Sequence, residues 1–168
     1  AQLRHPVVFF GERALLPVPF EVRPIIVAAG DYLYVGRGNS AEVSVYDLHG
    51  KLTRIVRWDT QRAPLSSADR DRYEQTRMQL DSLIGAGTTN RVQPLNVFAL
   101  PTSKPVYSDL LVDDQGYMWV RRYPDNDEMY ERGFGPILGD REAQWWVFNP
   151  SGRLLGAATT PPRCVVSM

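Results

Sequence analysis

Cysteine is nearly absent from this chain. Cys164 stands alone, which excludes an internal disulfide and any zinc site built from thiolates of this chain; it leaves the compartment open. Histidine is almost as scarce, with only His5 and His49. His49 falls between Leu48 and Gly50, where turn solubility explains it better than catalysis. Net charge is missing too: 19 Lys and Arg balance 19 Asp and Glu in 168 residues. A duplex-binding surface usually leaves a basic excess, so nucleic acid is not an expected partner, although neutrality is compatible with a local basic patch. Long apolar runs are absent. Ile25-Ile26-Val27-Ala28-Ala29 is typical, against the ~20 residues of a membrane-crossing helix.

Several chemical motifs are also missing. There is no Gly-x-Ser-x-Gly elbow for a serine nucleophile. Gly85-x-Gly87 has no lysine or helix start behind it, so it is not a phosphate loop. Asp125-Asn126-Asp127-Glu128, with Glu131 beyond, has calcium-loop spacing but lacks the glycine at the sixth position and the glutamate at the twelfth. It reads as a solvated acidic loop, so no metal or cofactor is expected. No signal-peptide pattern is visible. The chain opens at Ala1 rather than Met, so the expectation is a processed or cropped start, which leaves room for a targeting segment ahead of it.

What is present is a repeat. Gly30-Asp31-Tyr32-Leu33-Tyr34-Val35-Gly36-Arg37 matches Gln115-Gly116-Tyr117-Met118-Trp119-Val120-Arg121-Arg122 at an offset of 85. Glu42-Val43-Ser44-Val45-Tyr46-Asp47-Leu48-His49-Gly50-Lys51-Leu52 matches Gln144-Trp145-Trp146-Val147-Phe148-Asn149-Pro150-Ser151-Gly152-Arg153-Leu154 at an offset of 102. The 17-residue difference is an insertion in the second unit. In both copies an apolar-aromatic strand meets Asp or Asn, then a turn closed by Gly, then a basic residue and Leu. Such internal similarity is the mark of repeat architectures.

Each unit reads as four strands rich in Val, Tyr, Trp and Ile, bounded by glycine-containing turns. The expected strands are residues 23–29, 32–36, 42–47 and 52–58, then 107–112, 117–122, 144–149 and 154–159. Tight turns at 29–31, 48–51, 113–116 and 149–152 make both units up-and-down meanders. One helix is expected over 68–84, with Ser66 and Asp69 as a capping box and Tyr73, Leu80, Leu83 and Ile84 as a narrow apolar stripe on the β body. Glycine-rich residues 85–90 form a loop, and Pro94, Pro101 and Pro105 mark an extended approach to the second unit. In a four-stranded meander the first-to-second and third-to-fourth turns lie at one end of the strands, and the second-to-third connection and the onward link lie at the other. All four tight turns here fall in the first class. The long connections, 58–107 and 123–143, fall in the second, and rigid scaffolds carry function on such loops.

Asp109-Leu110-Leu111-Val112-Asp113-Asp114-Gln115-Gly116-Tyr117-Met118-Trp119-Val120 and the hairpin Trp146-Val147-Phe148-Asn149-Pro150-Ser151-Gly152-Arg153 resemble blades of bacterial six-bladed β-propeller proteins of the NHL-repeat-like group. The resemblance covers about residues 23–160 and is specific to blades, not to an activity. It implies an all-β fold of antiparallel four-stranded meander blades with one short surface helix between them. In that frame residues 1–22 are a remnant of a preceding blade or linker and 23–58 the first blade. A helix-bearing linker spans 59–106, the second blade is 107–160 with its insertion at 123–143, and 161–168 starts a further blade. A closed ring needs ~4–8 blades, so a fragment of a longer chain is expected, its partners the remaining blades of the same polypeptide. A compact two-sheet domain and a ring of several copies are the alternatives.

The expected function is a non-catalytic binding or scaffold module, periplasmic or secreted, recognising a small molecule, glycan or protein on its looped end. The alternative is a propeller hydrolase or lactonase with a central-channel metal, for which Asp109 and Asn96 are too few alone; a purely structural module is the third. No catalytic residue is assigned. Arg37, Arg121 and Arg122, where the second strands run out toward the loops, are the candidate ligand contacts, their guanidinium forks suited to an anion; ordinary pairing with acidic loops is the plainer reading. Alternation puts Trp145 and Trp146 on opposite faces, one in a blade-to-blade contact and the other more exposed.

Overall fold

The computed structural model describes residues 9–10, 13–14, 20, 22–85, 100–124 and 142–161. Strands β1 (Phe9–Phe10) and β2 (Arg13–Ala14) form a short ladder. β3 (Ile25–Ala29), β4 (Tyr32–Gly36), β5 (Glu42–Asp47) and β6 (Leu52–Arg57) make the first antiparallel sheet in chain order. β7 (Tyr107–Val112), β8 (Met118–Arg122), β9 (Ala143–Phe148) and β10 (Leu154–Thr160) make the second in the same order. The helix α1 (Ser67–Gly85) lies between them in the chain. Two four-stranded antiparallel sheets with one helix are what the composition and turns predict, and each strand falls within two residues of its expected bounds.

Three of the four hairpins close with one device. Asp47, Asp113 and Asn149 each accept a backbone N–H from the glycine three residues on, at 3.0, 3.0 and 2.8 Å. Their side-chain Oδ1 atoms accept the N–H of Lys51, Tyr117 and Arg153 at 2.9, 2.8 and 2.9 Å. Gly50, Gly116 and Gly152 all have φ between 80° and 86°, a left-handed conformation that glycine adopts without a Cβ clash. The fourth strands also share an irregularity absent from the sequence reading. One extra residue, Thr53 in β6 and Leu155 in β10, bulges just past the turn; these two positions are equivalent at the offset of 102. Thr53 donates its hydroxyl to the Val45 carbonyl at 2.9 Å across that irregular step.

The register shows which faces meet. The second sheet turns the rows Leu110–Val120–Trp146–Ala157 and Val112–Met118–Phe148–Leu154 toward the first. The first sheet answers with Ile25, Val27 and Ala29 of β3, Tyr34 of β4, Val43 and Val45 of β5, and Val56 and Trp58 at β6. By the repeat alignment, Val43, Val45 and Tyr34 correspond to Trp145, Val147 and Trp119, which lie on the far face of the second sheet. Front therefore meets back. A face-to-face sandwich of two equivalent units would bring matching faces together. β3 and β7, the first strand of each sheet, run side by side. A bulge at Ser108 lets Tyr107 and Leu110, three residues apart, share the inward face.

The two sheets are aligned end to end. At the looped end Val106 donates its N–H to the Gly38 carbonyl at 2.7 Å. At the other end Arg54 donates from Nη1 to the Pro150 carbonyl, and a Cβ on Gly152 would press on Val56.

The helix is fixed by its first turn. Ser66 donates both N–H and Oγ–H to Asp69 Oδ2, at 2.8 and 2.7 Å, and Asp69 returns its N–H to Ser66 Oγ at 3.1 Å. This is the expected capping box. The structure adds an ion pair: Lys104 Nζ lies 3.0 Å from Asp69 Oδ1, which is buried. Beside it, residues 62–65 and 102–104 zip together through Leu65 N–H to Thr102 O, Lys104 N–H to Ala63 O, and Arg62 to the carbonyls of Ser103 and Lys104. Tyr73 of the expected stripe is half-buried; the side chains of Leu80, Leu83 and Ile84 lie outside the described residues.

A Cβ at Gly36 runs into the Tyr107 hydroxyl, so Gly36→Ala should cost about 1–3 kcal/mol. Tyr107→Phe in that background should recover part of the loss, giving a non-additive double-mutant cycle in urea denaturation. Burial alone would raise the Asp69 pKa, but its hydrogen bonds from Ser66 and the Lys104 ammonium hold it below its ordinary 3.8. A lowered carboxylate pKa stabilises above the unfolded value and is lost as pH falls through the folded one. Asp69→Ala should therefore cost about 2–4 kcal/mol at neutral pH, and the gap from wild type should narrow in denaturation series run below pH 4.

Candidate functional site

The connections at the looped end are 37–41, 58–106 and 123–142, and hydrogen bonds stitch them together. Gly38 O accepts Val106 N–H at 2.7 Å, and Val106 O accepts Tyr123 N–H at 3.1 Å. One backbone residue thus joins all three connections. Under it, Trp58 sits where β6 ends, buried, with ring centroids 5.7 Å from Tyr107, 5.6 Å from Trp146 and 5.2 Å from Phe148. These tilted and edge-on contacts suit aromatic quadrupoles. The Trp58 indole N–H has no hydrogen-bond partner among the described residues. Tyr107 donates its hydroxyl to the Glu42 carbonyl at 2.8 Å. Its burial pushes the phenol pKa up, against the opposing pull of backbone hydrogen bonds from Gly38 and Arg37. Tyr123 is likewise pushed above its ordinary value by burial, with the Phe20 ring 6.2 Å away.

The arginines do not act as one set. Arg37 is exposed on the connection that follows β4. Arg122 is exposed at the end of β8, donates to Gln144 Oε1 at 2.7 Å, and lies 5.3 Å from the Trp146 ring centroid. Arg121 departs from the expectation. It is 2% exposed and sits on the far face, opposite Asp109 in register. Successive residues of a strand point to opposite faces, so Arg121 and Arg122 cannot grip one ligand from the same side. Arg37 and Arg122 share the looped end, and both remain accessible.

The tryptophan pair also needs correction. Trp146 packs between the sheets, as one of the two was expected to do. Trp145 is the more buried partner, at 3% exposure, clustered with Leu111, Ala143 and Trp119. Its indole N–H donates to Thr160 Oγ1 at 3.1 Å; Trp119 likewise donates to Asp113 Oδ2 at 3.1 Å. His49 lies exposed in the β5–β6 turn, its backbone N–H donating to Asp47 Oδ1 at 2.9 Å. Asp109 Oδ1 accepts the Leu110 N–H at 2.8 Å. Asn96, the acidic cluster 125–131, His5 and Cys164 lie outside the described residues. Among the described residues no three His, Cys, Asp or Glu side chains gather as metal ligands, and no helix is long and apolar enough to cross a membrane.

Trp58 and Tyr107 are the site residues that the sequence reading missed. A lone aromatic at the end of an expected strand carries no periodic signal, and only packing reveals its neighbours. Compared with known proteins, the chain matches no family model, no curated protein and no solved structure.

Trp58→Ala should cost about 3–5 kcal/mol in denaturant unfolding, as large aromatic truncations in cores do. Arg122→Ala should shift stability by no more than about 1 kcal/mol, because its cation–π contact is solvent-exposed. A reversed order would show that the rim rather than Trp58 holds this end together.

Proposed function

We propose that this chain is a non-catalytic binding or scaffold module of the β-propeller kind, recognising a ligand or partner at its looped end. The observation that carries this reading is one-sided elaboration on two equivalent meanders packed front to back. Tight Asp- or Asn-capped turns occupy one end, and every long connection leaves from the other. Front-to-back packing of like meanders is how blades follow one another around an axis, and rigid strands with loops at one end are a common support for recognition.

Arg37 and Arg122 supply the polar contacts on this reading. Both are exposed at the looped end, and Arg122 is held in place by Trp146 and Gln144, which reduces the ordering cost of binding. An acidic group on a peptide or glycan suits two guanidinium forks. Arg121, buried on the other face, stands outside this proposed pair.

Thermal-shift measurements on the whole chain test this with a panel of acidic peptides and of sulfated or uronate-containing oligosaccharides. At least one member should raise Tm by about 2 °C or more at saturating concentration. Arg37→Ala and Arg122→Ala should abolish that shift, whereas His49→Ala and Lys51→Ala at the opposite end should preserve it. Steady turnover of a panel member, or a shift that depends on the tight-turn end instead, would overturn the reading.

A further inference from the structure

The first sheet has an outward face that repeats, position for position, the face by which the second sheet is buried. Its rows are Ile26–Val35–Ser44–Ile55 and Ala28–Leu33–Tyr46–Leu52. Their equivalents are Leu110–Val120–Trp146–Ala157 and Val112–Met118–Phe148–Leu154. Leu110, Val120 and Phe148 are fully buried, whereas Ile26 is 61% and Ile55 38% exposed. Leu33, Val35 and Tyr46 are half-buried. A sheet face meant for water alternates to polar side chains; of these eight positions only Ser44 and the Tyr46 hydroxyl are polar. Exposed apolar faces of this kind mark docking surfaces.

We infer that this outward face seats a further four-stranded meander of the same repeat, which covers it as the first sheet covers the second. The inference rests on the blade-stack reading above, but not on any ligand at the looped end. The occupant follows from the interface already present. The first sheet presents Val27, Tyr34, Val43, Val45 and Val56 to the second, and a like meander would present the same set to Ile26, Val35 and Ile55. Front-to-back contact is heterologous, so nothing in its geometry stops the stack at two units. Chain order follows stacking order in the two sheets described, which makes the occupant a meander that precedes the first sheet in its polypeptide. A second copy of this chain would have to offer the far face of its second sheet. There Leu111, Trp145 and Arg121 are already buried within the chain, so that face is not free to dock.

The experiment lengthens the 168-residue chain by a second copy of residues 22–106 placed ahead of residue 22, so that the helix-bearing connection joins added and original sheets. Cys164→Ser removes the native thiol, and Ile26→Cys in the original first sheet reports on its outward face. In the 168-residue chain this thiol should react with a maleimide as freely as in a short peptide. In the lengthened polypeptide it should react at least about ten-fold more slowly, as protected sites do. Equal rates in the two proteins overturn the proposal, as does an added copy that gives no increase in β signal by circular dichroism. Light scattering on the unlengthened chain supplies a second check. A dimer that Ile26→Lys with Ile55→Lys dissociates assigns the face to a second copy and also overturns the proposal; a monomer with an unchanged Tm supports it. Loss of ligand shifts at Arg37 and Arg122 would sink the functional reading alone, leaving the labelling result intact.

Discussion

The second sheet can take its place only because Tyr107 fits into the space that Gly36 leaves open. The ring lies against Trp58, the hydroxyl reaches the Glu42 carbonyl at 2.8 Å, and the preceding residue, Val106, is tied through its backbone to both Gly38 and Tyr123. Most of the inter-sheet core depends on this seat. It brings Leu110 and Val112 onto β3 and lets Trp58 contact Trp146 and Phe148. The bulge at Ser108 is part of the same arrangement. Without the extra residue, Tyr107 and Leu110 would point to opposite faces, and either the lock or the core would be lost.

The join between the sheets also decides what the molecule can become. Equivalent positions face in opposite senses, so the first sheet covers with its front and the second is covered on its back. Such an interface generates a series rather than a closed pair. Sidedness follows as well, because the stacked meanders keep their tight turns at one end, where Arg54 meets Pro150, and their long connections at the other, where Val106 bridges Gly38 and Tyr123. The looped end is thus a composite of both sheets, with an aromatic floor and two accessible arginines at its rim.

Much of the fold was legible in local patterns. Asp47, Asp113 and Asn149, each with a glycine three residues on, announced three hairpins, because an Asx side chain and a left-handed glycine satisfy the turn with little outside help. The Ser66–Asp69 box announced the start of the helix for the same reason. The candidate site was less legible. Arg37, Arg121 and Arg122 all lie near the ends of their strands, but alternation separates Arg121 from its neighbour. Which of Trp145 and Trp146 is the more buried was unreadable too, since both faces of the second sheet are covered and periodicity only says that the two differ.

By itself the sequence determined the two four-stranded meanders, their order, the capped helix and the end from which long connections leave. Those features depend on backbone conformations and hydrogen bonds within a few residues, which residue type controls directly. Only the tertiary structure decided that front meets back, that Tyr107 and Trp58 make the join, that Lys104 completes the helix cap from 35 residues away, and that Arg121 is withdrawn from the rim. These depend on contacts between residues distant in the chain and on single-residue bulges that reverse which face a side chain occupies. A one-residue shift of that kind is almost silent in composition and decisive in space.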